Sequence, residues 1–330
     1  MGLATLPQVE PLLACPRCRS RIVMEPLGAR CSAPDCALSE TASFPRIGDV
    51  PVLVDFESSV LRREDLVGRN GASDPVVAHT WSLERLPRGL RACWKPPNDV
   101  AARNIDRLLS LLGETATVLV VGGGSMGNGV ERLYAAGRLD IVGFDIYSSA
   151  LTQLVADAHQ IPLADQTVDA VVVQAVLEHL VDPEQAVAEI HRVLRPGGLV
   201  YAETPFLQQV HAGPYDFFRF TSSGHRYLFR GFEEIAAGPV AGAGTQLLWS
   251  IDHLVRGLFR SELAGKAARG LLFPLRYLDR LVPDAYAMDN ASAYYFLGRR
   301  AEHELTPQEI VGYYRGAQRL AAGTTPSTVQ

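Results

Sequence analysis

The alternation of short apolar runs with helical patterns between residues 117 and 204 constrains the fold of this chain most strongly. Strand-like apolar runs occur at residues 118–121, 141–144, 153–156, 168–173 and 199–203. Strands that alternate with helices form a parallel sheet with right-handed crossovers. We therefore predict an α/β, Rossmann-like, mostly parallel sheet with helices on both faces. Its ligand site should lie beyond the carboxyl ends of the strands.

A glycine-rich segment, Gly122-x-Gly124-x-x-Gly127, directly follows the first of these runs. Glycines have no Cβ, so the backbone at such positions can approach a ligand closely. Asp145 ends the second run, at a spacing typical of a carboxylate that accepts hydrogen bonds from ribose hydroxyls. Two classes of nucleotide-type ligand use this geometry, so the segment alone leaves the ligand open.

Three further stretches narrow the choice: residues 157–163 (DAHQIPL), 168–180 (VDAVVVQAVLEHL) and 192–198 (RVLRPGG). With the glycine segment they resemble the class I S-adenosylmethionine-dependent methyltransferases, close to the quinone-biosynthesis-like branch. The resemblance implies a seven-stranded sheet, and residues 291–298 look like its last strand. A short-chain dehydrogenase would need Tyr-x-x-x-Lys, and neither Lys95 nor Lys266 has a tyrosine four residues before it.

This resemblance implies which residues bind S-adenosylmethionine. The glycines would line the methionine and ribose portions, and Asp145 would bind the ribose hydroxyls. Asp157 and Ala158 would contact the adenine amine and ring edge, and Gln174 would lie near the methionine portion. The implied cofactor-binding set is Gly122, Gly124, Gly127, Asp145, Asp157, Ala158 and Gln174.

Four of the five cysteines lie near the start of the chain in the pattern C-x2-C-x12-C-x4-C: Cys15, Cys18, Cys31 and Cys36. Two closely spaced cysteine pairs supply the four soft ligands that tetrahedral zinc requires. Together with residues 12–16 and 44–54, the cluster resembles the zinc-ribbon module of the tRNA-methyltransferase activator family. We therefore expect a structural Zn²⁺ ion and a zinc-ribbon module over residues 1–55.

The segment after the fifth predicted strand, residues 204–221, is long and aromatic, and loops in this position build substrate pockets. It resembles a segment of methyltransferases from glycan and natural-product pathways. We predict His211 as the general base, with Asp216 as the second choice. We expect Tyr215, Arg219 and His179 to contact the acceptor. An internal salt bridge between Asp216 and Arg219 that only fixes the loop stays an open alternative.

Length and charge bound the organisation and the partners. A chain of 330 residues has room for more than one domain. We predict a linker with short helices at 56–97, a methyltransferase domain at 98–304 with a helical lid or insertion at 245–285, and a helix and tail at 305–330.

Thirty-one basic and 36 acidic residues give a net charge of −5, which disfavours nucleic acid as a partner. The absence of signal-peptide and membrane-spanning patterns predicts a cytoplasmic protein.

These observations predict methylation of a small-molecule or glycan-pathway acceptor at oxygen or nitrogen. An RNA base methyltransferase is the first alternative, because a ribosomal-RNA guanine methyltransferase family also places a zinc module before this fold. A non-catalytic protein that binds S-adenosylmethionine or acts as a scaffold is the second alternative. The apolar stripe of residues 247–259 leaves a homo-oligomer and a peripheral membrane contact open.

Overall fold

The computed structural model describes residues 2–41, 43–67 and 97–318. Within these ranges the strands are β1 (Ile22–Glu25), β2 (Gly28–Cys31), β3 (Arg46–Ile47), β4 (Val50–Leu53), β5 (Ala116–Val121), β6 (Leu139–Asp145), β7 (Leu154–Ala156), β8 (Val168–Gln174), β9 (Leu194–Pro205), β10 (Phe232–Ala241) and β11 (Ala293–Arg300). The α-helices are α1 (Leu6–Val9), α2 (Arg63–Val67), α3 (Asp99–Leu111), α4 (Glu131–Ala135), α5 (Pro183–Val193), α6 (Ser222–Leu228), α7 (Ala243–Phe259), α8 (Glu262–Leu271), α9 (Asp284–Asp289) and α10 (Pro307–Gly312). Short 3-10 helices cover Glu10–Leu12, Ala158–Gln160, Leu177–His179, Gly213–Tyr215 and Phe273–Leu281.

The main sheet is mostly parallel, as predicted, but it contains nine strands among the described residues where seven were expected. Its order is β10-β11-β9-β8-β5-β6-β7-β4-β3. The two additional strands extend the edge beyond β7. They join it because Val52 and Leu53 of β4 pair in parallel with Val155 and Ala156 of β7, and β3 pairs antiparallel with β4. Strand β11 enters antiparallel between β9 and β10.

The central strand β5 buries both of its faces, which explains its continuous apolar sequence. Val118 and Val120 belong to the hydrophobic cluster that includes residues of α3. Leu119 and Val121 belong to the opposite cluster, which includes residues of α5. Helices therefore cover both sides of the sheet, and this fixes the loops at the carboxyl ends of β5, β6 and β8 above a rigid layer.

Residues before 56 share the core of the main sheet. Leu3 pairs with Ile141 and Leu13 with Leu163 in isolated bridges, while β1 and β2 form a separate hairpin. Leu13 and Phe44 are buried in the same cluster as Leu119. The N-terminal segment is thus packed against the sheet, and its exact boundary as a module stays a prediction.

The predicted linker is described only for residues 56–67 and 97, where α2 supplies one short helix. Its remaining part, residues 68–96, and the tail at residues 319–330 lie outside the described residues. The helical segment predicted at 245–285 contains α7 and α8 and stands between β10 and β11. None of the helices in the described ranges is both long and apolar enough to cross a membrane.

Candidate functional site

A cavity of about 590 Å³ opens at the carboxyl ends of β5, β6 and β8. Its volume lies in the range of about 300–1,000 Å³ that is typical of small-molecule sites. The predicted site residues that line it are Gly122, Gly127, Asp145, Asp157, Gln174, His179 and Tyr215. The remaining predicted residues, Gly124, Ala158, His211, Asp216 and Arg219, are not part of its lining.

Two glycines of the loop after β5 have no space for a side chain. Gly122 has φ +72°, and a Cβ at this position would lie 2.2 Å from Cγ2 of Val176. A Cβ at Gly127 would lie 1.8 Å from Oε1 of Gln174. The loop backbone therefore stays close to the cavity, where a ligand can contact it.

We expect Gly122→Ala to lower the free energy of unfolding by about 1–3 kcal/mol, because it combines a left-handed backbone with overpacking against Val176. Urea denaturation measures the change. Gly137→Ala is the matched control, since Gly137 is exposed and a Cβ there meets no atom within 4 Å. Equal stability of the two variants would contradict the observed loop conformation.

Asp145 ends β6 and faces the glycine loop. Its Oδ2 accepts a hydrogen bond from the Gly124 N–H at 2.8 Å, and its Oδ1 accepts one from the Ile146 N–H at 2.7 Å. Burial raises the pKa of Asp145, although both N–H groups act in the opposite direction. Each carboxylate oxygen keeps a lone pair for a further donor. Asp145 can thus accept hydrogen bonds from a ligand while the backbone fixes its orientation.

Asp157, which lines the cavity, accepts hydrogen bonds from three donors. Its Oδ1 accepts from the His159 N–H at 2.9 Å and lies 2.6 Å from Nδ1 of His159, and its Oδ2 accepts from the Ser59 hydroxyl. Nε2 of His159 accepts from the Asp182 N–H at 3.1 Å, so the ring proton lies on Nδ1. Burial raises the pKa of Asp157, but the bonds from His159 and Ser59 outweigh it, and the net shift is downward. Ser59, which sequence reasoning missed, fixes this carboxylate from the segment before residue 68.

A buried polar network that sequence reasoning also missed surrounds Gln174. Oε1 and Oε2 of Glu203 lie 3.1 and 3.0 Å from Nδ2 of Asn98, and Oε2 accepts from Nε2 of Gln174 at 2.8 Å. Tyr201 donates its hydroxyl to the same carboxylate. Asn98 also caps α3 through the Ala101 N–H. Glu203, like Asp145, is the last residue of an apolar strand run, and this feature of the sequence could have identified it as a site residue.

Asp216 and Arg219 form a salt bridge within the loop after β9. Nη2 of Arg219 donates to Oδ2 of Asp216 at 2.7 Å, Nη1 donates to Oδ1, and the backbone N–H of His211 donates to Oδ2 at 2.9 Å. The Arg219 guanidinium holds the pKa of Asp216 far below its ordinary value. A carboxylate with so low a pKa is a weak proton acceptor. The geometry therefore favours the alternative in which this pair fixes the loop.

His179 and His211 come together in space, 32 positions apart in the chain. Their ring centroids are 4.9 Å apart. Their Nε2 atoms lie 3.7 and 3.8 Å from Oε1 of Glu178, which is completely buried. Glu178 was given no role from the sequence, since a glutamate beside a histidine in a short helix does not reveal that it is buried. Of the three, His179 lines the cavity.

The four N-terminal cysteines converge as their spacing predicts. Their Sγ atoms all lie within 4.8 Å of one another, and three of the four residues are buried. Sγ of Cys15 and Cys36 are 3.9 Å apart, and those of Cys18 and Cys31 are 3.3 Å apart. A tetrahedral ion with Zn–S bonds of about 2.3 Å requires S–S separations of about 3.8 Å. The donor set and its spacing therefore fit zinc.

Residues 119–202 match a family model described as a methyltransferase domain. An uncharacterized methyltransferase of Mycobacterium tuberculosis is 45% identical over 91 residues, which cover 24% of this chain and 36% of the relative. An uncharacterized 37.1 kDa protein in transposon TN4556 of Streptomyces fradiae is 32% identical over 115 residues, which cover 31% of this chain and 33% of the relative. The chain thus spans about a third of the length of these curated relatives.

Among solved structures, a complex between the Trm112 methyltransferase activator of Haloferax volcanii and a methyltransferase aligns with a TM-score of 0.41 and 18% identity, covering 65% of this chain and 98% of that one. The matched residues 119–202 contain the glycine loop, Asp145, Asp157 and Gln174. By the match to the family model, this segment of the chain is similar to a methyltransferase domain.

Proposed function

We propose that the protein transfers a methyl group from S-adenosylmethionine to a small-molecule or glycan-pathway acceptor, at an oxygen or nitrogen atom. The observation that carries this proposal is the carboxylate of Asp145, which lines the cavity while the Gly124 N–H orients it. A nucleoside ribose offers the two hydroxyl donors that such a carboxylate accepts. The methyltransferase match of residues 119–202 supports the same ligand.

The chain's own residues bind and orient this cofactor, whose sulfonium supplies the methyl group. Asp145 accepts from the ribose, and Asp157 with Ala158 contacts the adenine. Gln174 lies beside Gly127 and faces the methionine portion. Since methyl transfer is an in-line displacement, the main contribution of these groups is to hold the donor in one orientation and to exclude water.

The acceptor enters, in this proposal, between the cofactor and the loop after β9. Ala212 and Tyr215 of that loop and His179 line the same cavity. We assign removal of the acceptor proton to His211, whose ring centroid lies 4.9 Å from that of the cavity-lining His179, and loop positioning to Asp216 and Arg219. The acidic net charge of −5 supports a small acceptor over RNA.

We further propose that Cys15, Cys18, Cys31 and Cys36 hold a structural Zn²⁺ ion in a zinc-ribbon module. The module and the quinone-biosynthesis-like branch rest on the resemblance of their motifs, and the zinc also rests on the Sγ geometry. N–H groups of Ala33 and Leu38 point at the sulfurs of Cys31 and Cys36 at 3.4 and 3.5 Å, which stabilises thiolates.

Calorimetric titration of the full chain with S-adenosylmethionine tests the function. We expect one site per chain, and transfer of a radiolabelled methyl group to members of a panel of phenols, carboxylates, amines and monosaccharides. A folded protein that binds no S-adenosylmethionine would support the scaffold alternative. Filter binding of RNA at two salt concentrations tests the RNA alternative, which requires tight and steeply salt-dependent binding.

We expect His211→Ala to lower the transfer rate to an acceptor from this panel by about 10²- to 10⁴-fold, the usual effect of losing assisted proton removal. Its affinity for S-adenosylhomocysteine should stay within twofold of the wild-type value, because His211 does not line the cofactor cavity. His253→Ala, at an exposed position of α7, is the matched control. Wild-type turnover of His211→Ala would remove this assignment.

A further inference from the structure

The side chains of Glu178, His179 and His211 form a cluster of three metal-ligand types beside the proposed methyl-donor site. One ligand atom from each residue lies within 4.8 Å of the other two. Oε1 of Glu178 is 3.7 Å from Nε2 of His179 and 3.8 Å from Nε2 of His211. Ligands at 2.0–2.1 Å from one tetrahedral ion are about 3.4 Å apart, so each of these two distances exceeds the required one by only a few tenths of an ångström.

The Glu178 carboxylate is the second, independent sign of a cation. It is completely buried, and neither of its oxygens has a hydrogen-bond partner within the part of the chain that the structure describes. A buried carboxylate without partners is costly, and buried charges are normally paired or bound to metal. Arg219 acts on Glu178 only through space, and none of the described residues donates a hydrogen bond to its oxygens, so a cation can bind at the point that both imidazoles face.

The Nδ1 atoms of both imidazoles, which face away from Glu178, already have polar partners. Nδ1 of His179 lies 2.8 Å from the carbonyl oxygen of Tyr215. Nδ1 of His211 lies 3.4 Å from the carbonyl oxygen of Gln209 and 3.5 Å from Oδ2 of Asp216. Carbonyl and carboxylate oxygens only accept, so each Nδ1 carries the proton and each Nε2 keeps its lone pair. Metal-binding histidines are typically oriented by such bonds to the other ring nitrogen.

Tertiary folding holds the cluster together. The N–H groups of Phe217 and Phe218 donate to the carbonyl oxygen of Glu178 at 2.8 and 3.1 Å, which fastens the loop after β9 onto the short helix after β8. The bidentate pair of Arg219 and Asp216 fixes the same loop, and Asp216 accepts the backbone N–H of His211. His211 is therefore supported in place over Glu178 by contacts outside the cluster.

We propose that Glu178, His179 and His211 bind one divalent transition-metal cation at the acceptor end of the cavity. Two imidazoles and one carboxylate are ligands that suit Zn²⁺, Fe²⁺, Co²⁺ or Mn²⁺ and leave coordination positions open. The proposal rests on the proposed function and identifies its acceptor as a group with a metal-binding oxygen or nitrogen. It also replaces the general-base role of His211: Nε2 is then a metal ligand and takes no proton, and the bound cation promotes removal of the acceptor proton instead.

A bound divalent cation lowers the pKa of a hydroxyl that it coordinates. The acceptor proton then leaves to solvent, and a lone pair of the acceptor oxygen forms the new C–O bond. The S–CH3 bond breaks, and its electron pair remains on sulfur. His179 lines both the cavity and the cluster, which places the ion beside the transferred group in this proposal.

Calorimetric titration with Co²⁺ of the tag-free full chain, prepared with one zinc per chain by elemental analysis so that only the tighter four-cysteine site is filled, tests the site. Thiolate-bound zinc resists Co²⁺, since affinities of such sites rank Zn²⁺ above Co²⁺. We expect one Co²⁺ per chain, and at least tenfold weaker binding in Glu178→Gln, His179→Ala and His211→Ala. His253→Ala should bind Co²⁺ like the wild type. Failure of the wild type to bind Co²⁺, or unchanged binding in the His179 and His211 variants, would overturn the proposal.

Binding of S-adenosylhomocysteine to every variant separates the two proposals and reports folding. A variant that no longer binds S-adenosylhomocysteine is excluded, and the remaining substitutions of Glu178, His179 and His211 decide whether the metal site exists. Intact S-adenosylhomocysteine binding without a Co²⁺ site in the wild type would remove the metal site and leave the methyl-transfer proposal standing. Co²⁺ binding by a wild type that binds no S-adenosylhomocysteine would keep the metal site and remove the methyl-transfer proposal.

Discussion

Asp145→Asn is expected to weaken the binding of S-adenosylhomocysteine by 100-fold or more. The carboxylate accepts from Gly124 and Ile146 with one oxygen each, and the ribose hydroxyls are proposed to use the remaining lone pairs. An asparagine turns one oxygen into a donor, which then faces either an N–H group or a ribose hydroxyl. Loss of hydrogen bonds to a charged group costs about 1.5–3 kcal/mol each, and 100-fold corresponds to about 2.8 kcal/mol.

Calorimetric titration of the variant measures this effect, and Asp140→Asn is the matched control. Asp140 belongs to the same strand β6 but lies exposed near its amino end, away from the cavity. We expect the control to bind like the wild type. An affinity of Asp145→Asn within threefold of the wild-type value would contradict the assignment of the ribose to this residue.

Cys18→Ser is expected to remove the zinc ion and to lower the midpoint of thermal unfolding by roughly 6 °C. Zinc binding by a structural site is worth many kcal/mol, but here the packing of Cys15 and Cys31 with the main core retains part of the structure without it. A net loss of about 4 kcal/mol corresponds to roughly 6 °C in a protein of 330 residues, whose unfolding entropy at the midpoint is about 0.7 kcal/mol/K. Chelation of the wild type should produce a shift of similar size.

Elemental analysis and differential scanning calorimetry provide the two readouts. Cys93→Ser is the control, because four thiolates already complete a tetrahedral zinc site and Cys93 does not belong to the C-x2-C-x12-C-x4-C pattern. We expect it to keep one zinc per chain and the wild-type midpoint. A wild-type protein that contains no zinc when purified, or a Cys18→Ser variant that keeps the wild-type midpoint, would contradict a structural ion.

The sequence predicted the central strands of the fold because their signal is local. The apolar runs that became β5, β6 and β8 are buried on both faces, so their composition alone marked them. The pairing of β4 with β7 could not be predicted in this way. Residues 50–53 have a strand pattern, but which of the other strands they join depends on packing across a hundred residues.

The same distinction applies to the site. Gly122, Gly127 and Asp145 were predictable because strand ends in a parallel sheet share one edge. Ser59 and Asn98 reach the site from segments that precede β5 in the chain, so no motif connects them with Asp157 or Glu203. The burial of Glu178 and the lack of hydrogen-bond partners for its carboxylate, within the described residues, depend on the residues that pack around it. Short motifs do not contain that information, because burial results from the loop that folds over it.

A crystal structure with S-adenosylhomocysteine bound tests the central claim most directly. We predict that the nucleoside lies in the cavity above β5, β6 and β8, with both ribose hydroxyls within hydrogen-bonding distance of Asp145 and the adenine beside Asp157 and Ala158. Its sulfur should point toward the side of the cavity lined by His179. A nucleoside bound elsewhere on the molecule, or a ribose without contact to Asp145, would contradict the proposed function.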